Sequence, residues 1–257
     1  MLNVLRAGAA ELRFRPNPGP RIVFFHLPRT GGTSLSKDIL FPNFPRSRWC
    51  NVNFAPEMEP LDGAHRPLMW PAWRRKRIQL LAGHMPFGFA LHFPGPSEYI
   101  TLVRDPIART ISDYYFCRNN PANPAHEAAI RLSLVEFVER GHAFTQNCYA
   151  RWLSNEPFGA YFRDPDEMLR RALSNLSQFS FIGITEQFEV AVQRLCERYG
   201  LVPHAATKVN RNAATPEARA VSAEEHEVLR RANALDLVIY EECLRRFARS
   251  EAVAASA

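Results

Sequence analysis

An α/β fold built on a mainly parallel sheet is what this sequence predicts, and three observations carry the prediction. Apolar runs recur at Ile22–Phe25, Ile78–Ala82, Tyr99–Val103 and Phe179–Ile184, rich in β-branched, aromatic and aliphatic residues. Runs of that kind read as strands buried on both faces. Stretches of helical character lie between them, and alternating strands and helices imply a parallel sheet covered on both sides. Finally, three of the runs end in chemically active residues, Arg29 with its loop, His84 and Arg104. Ligands of open α/β sheets bind at those carboxyl ends.

The elements follow in chain order. Residues 1–20 end in Pro16, Pro18 and Pro20 and read as a lead-in; 21–257 reads as a single domain without repeat or linker. Pro28 stops the first strand, and a helix over about Thr33–Leu40 ends at Phe41-Pro42. Residues 41–75 are rich in Pro and Trp with little period, so they read as an irregular excursion with a short strand near Trp49–Phe54. Arg74-Arg75-Lys76-Arg77 reads as a solvated strand entry. Asp105-Pro106 starts a helix, with Asp as N-cap and Pro at the first helical position. Helices follow over Ala125–Arg140, from Asp164 to Leu176, and around Phe188–Tyr199 with Gly200 as stop. Ser222 and Glu225 form a capping box for a long C-terminal helix reaching about Arg249.

Composition bounds the class. With 46% hydrophobic and 23% charged residues, the chain can bury one substantial core, so disorder is expected only at the ends. Its net charge of +6, from 32 Lys and Arg against 26 Asp and Glu, favours an anionic partner without choosing among nucleotide, glycan, nucleic acid and membrane surface. Five widely separated cysteines with no CxxC pair read as buried free thiols in a reducing compartment. No stretch has the length of a membrane span or a signal peptide, so a soluble cytoplasmic protein is expected.

The stretch RIVFFHLPRTGGTSLS, from Arg21 to Ser36, carries the chemistry. A strand, a small-residue turn and a helix start make an anion cradle. Gly31 and Gly32 allow close backbone approach, and the helix start presents unpaired N–H groups. Thr30, Thr33 and Ser34 add hydroxyls, and Arg29 adds a fixed charge. A Walker A loop is excluded, because no Lys precedes Thr33 and no Gly opens the loop. At the next strand end, Arg104 precedes a helix start where an anion meets both a guanidinium fork and backbone N–H groups. Ser112, seven residues after Asp105, shares that helical face, and Arg109 beside it reads as structural. His84, after a strand and a glycine, is the candidate base; His92 is the reserve and His26 reads as packed.

The loop resembles the 5′-phosphosulfate-binding loop of sulfotransferases that use 3′-phosphoadenosine 5′-phosphosulfate (PAPS). It is most similar to the PKTGGTS version of the carbohydrate sulfotransferase family that includes heparan sulfate 2-O-sulfotransferase, with Arg29 where that family has Lys. LVRDPIARTISDYY looks like the family's 3′-phosphate motif, and LLAGHMPFGF like its GH segment. The resemblance covers about residues 21–211 and implies a P-loop-NTPase-like three-layer fold and sulfuryl transfer from PAPS to an acceptor hydroxyl, with a carbohydrate as the acceptor class. It implies that Arg29, Thr30, Gly31, Gly32, Thr33 and Ser34 hold the sulfuryl end and that Arg104 and Ser112 hold the 3′-phosphate. His84 is then the general base, Arg29 stabilises the leaving oxygen, and Asn210 and Arg211 touch PAPS from a closing loop. No metal is expected, since a sulfuryl group carries less charge than a phosphoryl group. Nucleic acid and stable membrane insertion are not expected either. Two other readings stay open on the residues: a nucleotide-dependent kinase, and a non-catalytic polyanion binder.

Overall fold

The computed structural model describes residues 19–53, 66–142, 144–155, 164–203 and 221–254. Five strands form one parallel sheet: β1 Arg21–Phe25, β2 Trp49–Asn53, β3 Leu80–His84, β4 Ser97–Val103 and β5 Phe179–Ile184, in the spatial order β2-β3-β1-β4-β5. Every residue of β1 is buried. Successive side chains point to opposite faces of a strand, so this central strand is covered on both sides. Its register is fixed on each flank, Val23 opposite Leu81 on one and Tyr99 on the other. With helices around a parallel sheet and the glycine loop leaving its central strand, the architecture is the P-loop-like α/β fold.

Arg21 closes the amino edge of this sheet. It is 5% exposed, and its guanidinium donates to the carbonyls of Ile78, Phe93 and Pro94 and to the Ser97 hydroxyl. At the carboxyl edge the Thr185 hydroxyl lies 2.7 Å from the Thr30 carbonyl and 2.9 Å from that of Val103. That hydroxyl ties the glycine loop to the ends of β4 and β5.

The helices are α1 Gly32–Ser34, α2 Arg66–Met69, α3 Ala72–Lys76, α4 Pro106–Asn119, α5 His126–Arg131, α6 Leu134–Glu139, α7 Cys148–Ser154, α8 Pro165–Leu176, α9 Phe188–Tyr199, α10 Ala223–Ala232 and α11 Ala234–Ala254. Several expectations change. The helix after the loop begins as a single α turn and widens into a π turn, Leu35–Leu40, then tightens into a 3₁₀ turn, Phe41–Asn43, that runs through Pro42. Residues 66–76 hold two short helices where irregular chain was expected, so the basic run 74–77 closes a helix rather than opening a strand. Strand β3 starts two residues later than expected and runs through His84.

The expected helix 125–140 is two helices. Ser133 and Glu136 form a capping box that restarts the chain as α6, because the Ser133 side chain and backbone satisfy the new N-terminus better than a continued helix would. The long C-terminal helix is likewise broken at Asn233, which is fully buried and donates from Nδ2 to the Leu229 carbonyl. Helix α7 was not foreseen at all.

Candidate functional site

The site grows from the turn after β1. Thr30 is fully buried and its hydroxyl donates to the Leu27 carbonyl at 2.9 Å. Its side chain therefore braces the turn. Gly31 takes φ 81°, and Leu35 N donates back to its carbonyl at 3.3 Å. Gly32 has a different reason to be glycine: an added Cβ would lie 2.2 Å from the His26 ring. Gly31 and Thr33 are exposed and Ser34 is half-buried. The N–H groups of a first helical turn have no partner within the helix, so this cluster offers backbone donors beside the Thr33 and Ser34 hydroxyls.

Arg29 adopts φ 64°, in the left-handed region that a non-glycine residue enters only at a cost of about 1–2 kcal/mol. The surroundings hold it there. Its Nε and Nη2 donate to Ser112 Oγ at 3.3 and 3.2 Å, and its guanidinium lies 4.4 Å over the Phe116 ring. The guanidinium therefore crosses from the turn to α4 and is fixed on two sides.

His84 ends β3. Its Nδ1 lies 2.7 Å from the His26 carbonyl, which can only accept, so Nδ1 carries the hydrogen and, in the neutral ring, Nε2 bears the lone pair. The two imidazoles stack at 4.3 Å with 24° between planes, and Phe24 also stacks with His26, at 5.3 Å. Burial lowers the His84 pKa, opposed by the bond to His26. Burial lowers that of His26 further, with the His84 and Arg29 charges acting in the same direction. His26 is half-buried and also lines the cavity described below.

A cavity of about 260 Å³ joins these groups. Arg29, Thr33 and His84 line it, with Asp113 and the aromatic side chains Phe116 and Trp152. Asp113 is buried and accepts from Phe144 N at 3.2 Å; burial raises its pKa, opposed by Arg109 and Arg29. Arg109, fully buried and 4.0 Å from Asp113, is structural as expected.

Arg104 does not line the cavity. Its backbone is clasped by Tyr149, whose hydroxyl accepts from Arg104 N at 3.0 Å and donates to its carbonyl at 2.7 Å. Ser112, expected beside it, is bonded to Arg29 instead. The Asp105 carboxylate caps α4 by accepting from Ala108 N at 2.8 Å. His92 lies outside the cavity, exposed, in a turn near the amino edge. Asn210 and Arg211 lie outside the described residues.

A family model described as the sulfotransferase family matches residues 13–241. This chain belongs to the sulfotransferase family. Its members are PAPS-dependent enzymes, and the reaction class is sulfuryl transfer. Among solved structures, this sulfotransferase is similar to the mouse sulfotransferase SULT7A1 complexed with PAP, at 14% identity and a TM-score of 0.41, covering 80% of this chain and 68% of that one. No curated protein matches the sequence.

Sequence reasoning missed Asp113, Phe116 and Trp152 in this sulfotransferase. Asp113 had a signal, a charged residue one position after Ser112. Trp152 had none, because it rides on the unforeseen α7 and reaches His84 with ring centroids 6.1 Å apart.

Proposed function

We propose that this sulfotransferase moves a sulfuryl group from PAPS to a carbohydrate hydroxyl, with His84 as general base and Arg29 as the charge beside the leaving oxygen. The observation that carries the reading is that Arg29, Thr33 and His84, from two strand ends, line one cavity. PAPS supplies the sulfuryl group, and the donor set suits it: backbone N–H groups at Gly31–Ser34, hydroxyls on Thr33 and Ser34, and cations at Arg29 and Arg104.

The roles follow from the geometry of the chain's own groups. His84, held through Nδ1, takes the acceptor's proton on Nε2. Its lowered pKa keeps it neutral near pH 7, the form a base needs. Arg29, already pinned by Ser112 and Phe116, meets developing negative charge without reorganising. Arg104 anchors the 3′-phosphate, and Ser112 is bonded to Arg29. Gly31 and Gly32 give the backbone its approach, while Thr30 holds the turn's shape. Asn210 and Arg211 are assigned to the cofactor from the sequence resemblance alone.

The rest of the cavity is read as the sugar site. Phe116 and Trp152 offer flat apolar faces, and the Asp113 carboxylate offers an acceptor for a second hydroxyl. The five cysteines are buried and none forms a disulfide, which supports a cytoplasmic home. Among the described residues no helix is long and apolar enough to cross a membrane. Residues 21–257 are taken to act as one catalytic unit.

Thermal melting with PAP in the absence of magnesium tests the reading. Ligand at 100 times its dissociation constant adds about 2.7 kcal/mol to stability. A shift with PAP, followed by labelled transfer from PAPS to a panel of sugars, is the expected result. No shift with PAP beside a clear one with Mg-ATP would move the assignment to a kinase.

A further inference from the structure

The amino edge of the sheet, opposite the cavity, carries a surface that sulfuryl transfer does not use. Strand β3 separates the two by roughly 15 Å. From Gly63 to Ser97 the sequence contains no Asp or Glu, while Arg74, Arg75, Lys76 and Arg77 follow one another at the end of α3. Arg74, Lys76 and Arg77 are exposed, and no ion pair engages them among the described residues. Three large apolar side chains project from the same region: Met69 is 83% exposed, Trp73 63% and Leu91 87%.

These residues form one patch. The Arg74 guanidinium lies 3.9 Å over the Trp70 ring, next to Met69. The Arg75 guanidinium donates to the His92 carbonyl, next to Leu91. Arg48 donates to the Arg77 carbonyl at 3.3 Å, and Arg46 stacks on Trp49 at 4.0 Å, which extends the basic rim to the start of β2.

We propose that this edge docks the protein on an anionic lipid bilayer. A row of cations surrounding projecting Trp, Met and Leu side chains suits an interface where charge meets lipid headgroups and apolar tips enter the acyl boundary. Exposed side chains of this size cost solvation when nothing covers them. A linear polyanion would use the cations and the aromatic faces but leave Met69 and Leu91 in water. A second copy seated here would bring two clusters of like charge together. Docking by this edge leaves the cavity open toward solution, and the inference does not rest on the transfer reaction.

The test is sedimentation of the full chain with phosphatidylcholine vesicles and with phosphatidylcholine–phosphatidylglycerol vesicles. One variant carries Arg74→Ser, Lys76→Ser and Arg77→Ser; another carries Met69→Ser, Trp73→Ser and Leu91→Ser. All six side chains are exposed, so both variants keep the fold, which their melting curves check. Binding only to the anionic vesicles is expected. Each basic residue near such a surface is worth about fivefold in binding, so the charge variant loses about 100-fold. The apolar variant loses about tenfold or more and also loses the blue shift of tryptophan fluorescence on vesicle addition. The proposal is overturned by no sedimentation with anionic vesicles, by an apolar variant that binds like the wild type, as it would if charge alone attracted a polyanion, or by a wild-type dimer in ultracentrifugation that the apolar variant abolishes. The PAP melting shift on the same samples reports separately on the catalytic assignment.

Discussion

Two arginines stand at neighbouring strand ends, and the fold treats them in opposite ways. At the end of β1, Arg29 has a strained backbone and a side chain committed to Ser112 and Phe116. At the end of β4, Arg104 has a backbone bonded in both directions to the Tyr149 hydroxyl. Its guanidinium takes no hydrogen bond or ion pair among the described residues. On the roles proposed above, the difference separates two tasks that share one chemistry. A group meant to stabilise charge in a transition state gains from being ordered beforehand, since no reorganisation is then needed at the moment of reaction. A group meant to bind a ligand can stay unordered, its rotamer entropy being lost on binding in return for a charge-assisted contact.

The largest expected effect lies outside the pair, at the proposed base His84, which lines the same cavity as Arg29. His84→Ala lowers transfer by 10²–10⁴-fold at unchanged PAP affinity, because the base touches the acceptor and not the nucleotide. His92→Ala, outside the cavity, keeps wild-type activity and serves as control. In the wild type the rate is full at pH 7 and falls on acidification with a midpoint below 6.5, since burial lowers the His84 pKa and only the neutral ring accepts a proton. A profile centred above 6.5 assigns the proton to another group.

Next comes the comparison itself. Arg29→Ala removes the pre-ordered charge and costs on the order of 10²–10³-fold in kcat, with PAP affinity changed far less. Arg104→Ala does the reverse. It weakens PAP by about 1.5–3 kcal/mol, and at saturating PAPS the rate recovers. Titration calorimetry with PAP beside steady-state kinetics reads both quantities on both variants. If the two substitutions give the same split between binding and rate, the division of labour between the strand ends is wrong.

How much of this was legible depended on the range of the interaction. The strand ends could be read because a fully buried strand writes its character into consecutive residues, and Arg29, His84 and Arg104 sit where those runs stop. The Asp105-Pro106 start of α4 was legible for the same local reason. Helix α7 was not. All seven of its residues are buried, so it shows no polar face and no amphipathic period, and its ends are marked only by Asn147 and Asn155 in left-handed conformations. The restart at Ser133 was written in the sequence as a capping box but hidden inside an apolar period that runs across it. The bonds that organise the site, Arg29 to Ser112 and His84 to the His26 carbonyl, join residues 83 and 58 positions apart. No local pattern encodes pairs at that range.

The smallest effect decides what Ser112 is for. Its motif associates it with the 3′-phosphate and Arg104, whereas its hydroxyl is bonded to Arg29. Either way, losing a neutral hydroxyl costs about 1 kcal/mol, so Ser112→Ala alone cannot separate the two. A double-mutant cycle can, because substitutions at independent sites add while those sharing an interaction do not. If Ser112 acts by holding Arg29, its removal lowers kcat about fivefold in the wild type and has no effect once Arg29 is Ala. If it acts at the 3′-phosphate, Ser112→Ala weakens PAP by the same factor in both backgrounds and couples to Arg104→Ala instead. The hydrogen bonds favour the first pattern, measured as transfer rate at saturating PAPS, with PAP titrations on the four proteins of each cycle. Coupling to Arg104 alone would return Ser112 to the phosphate.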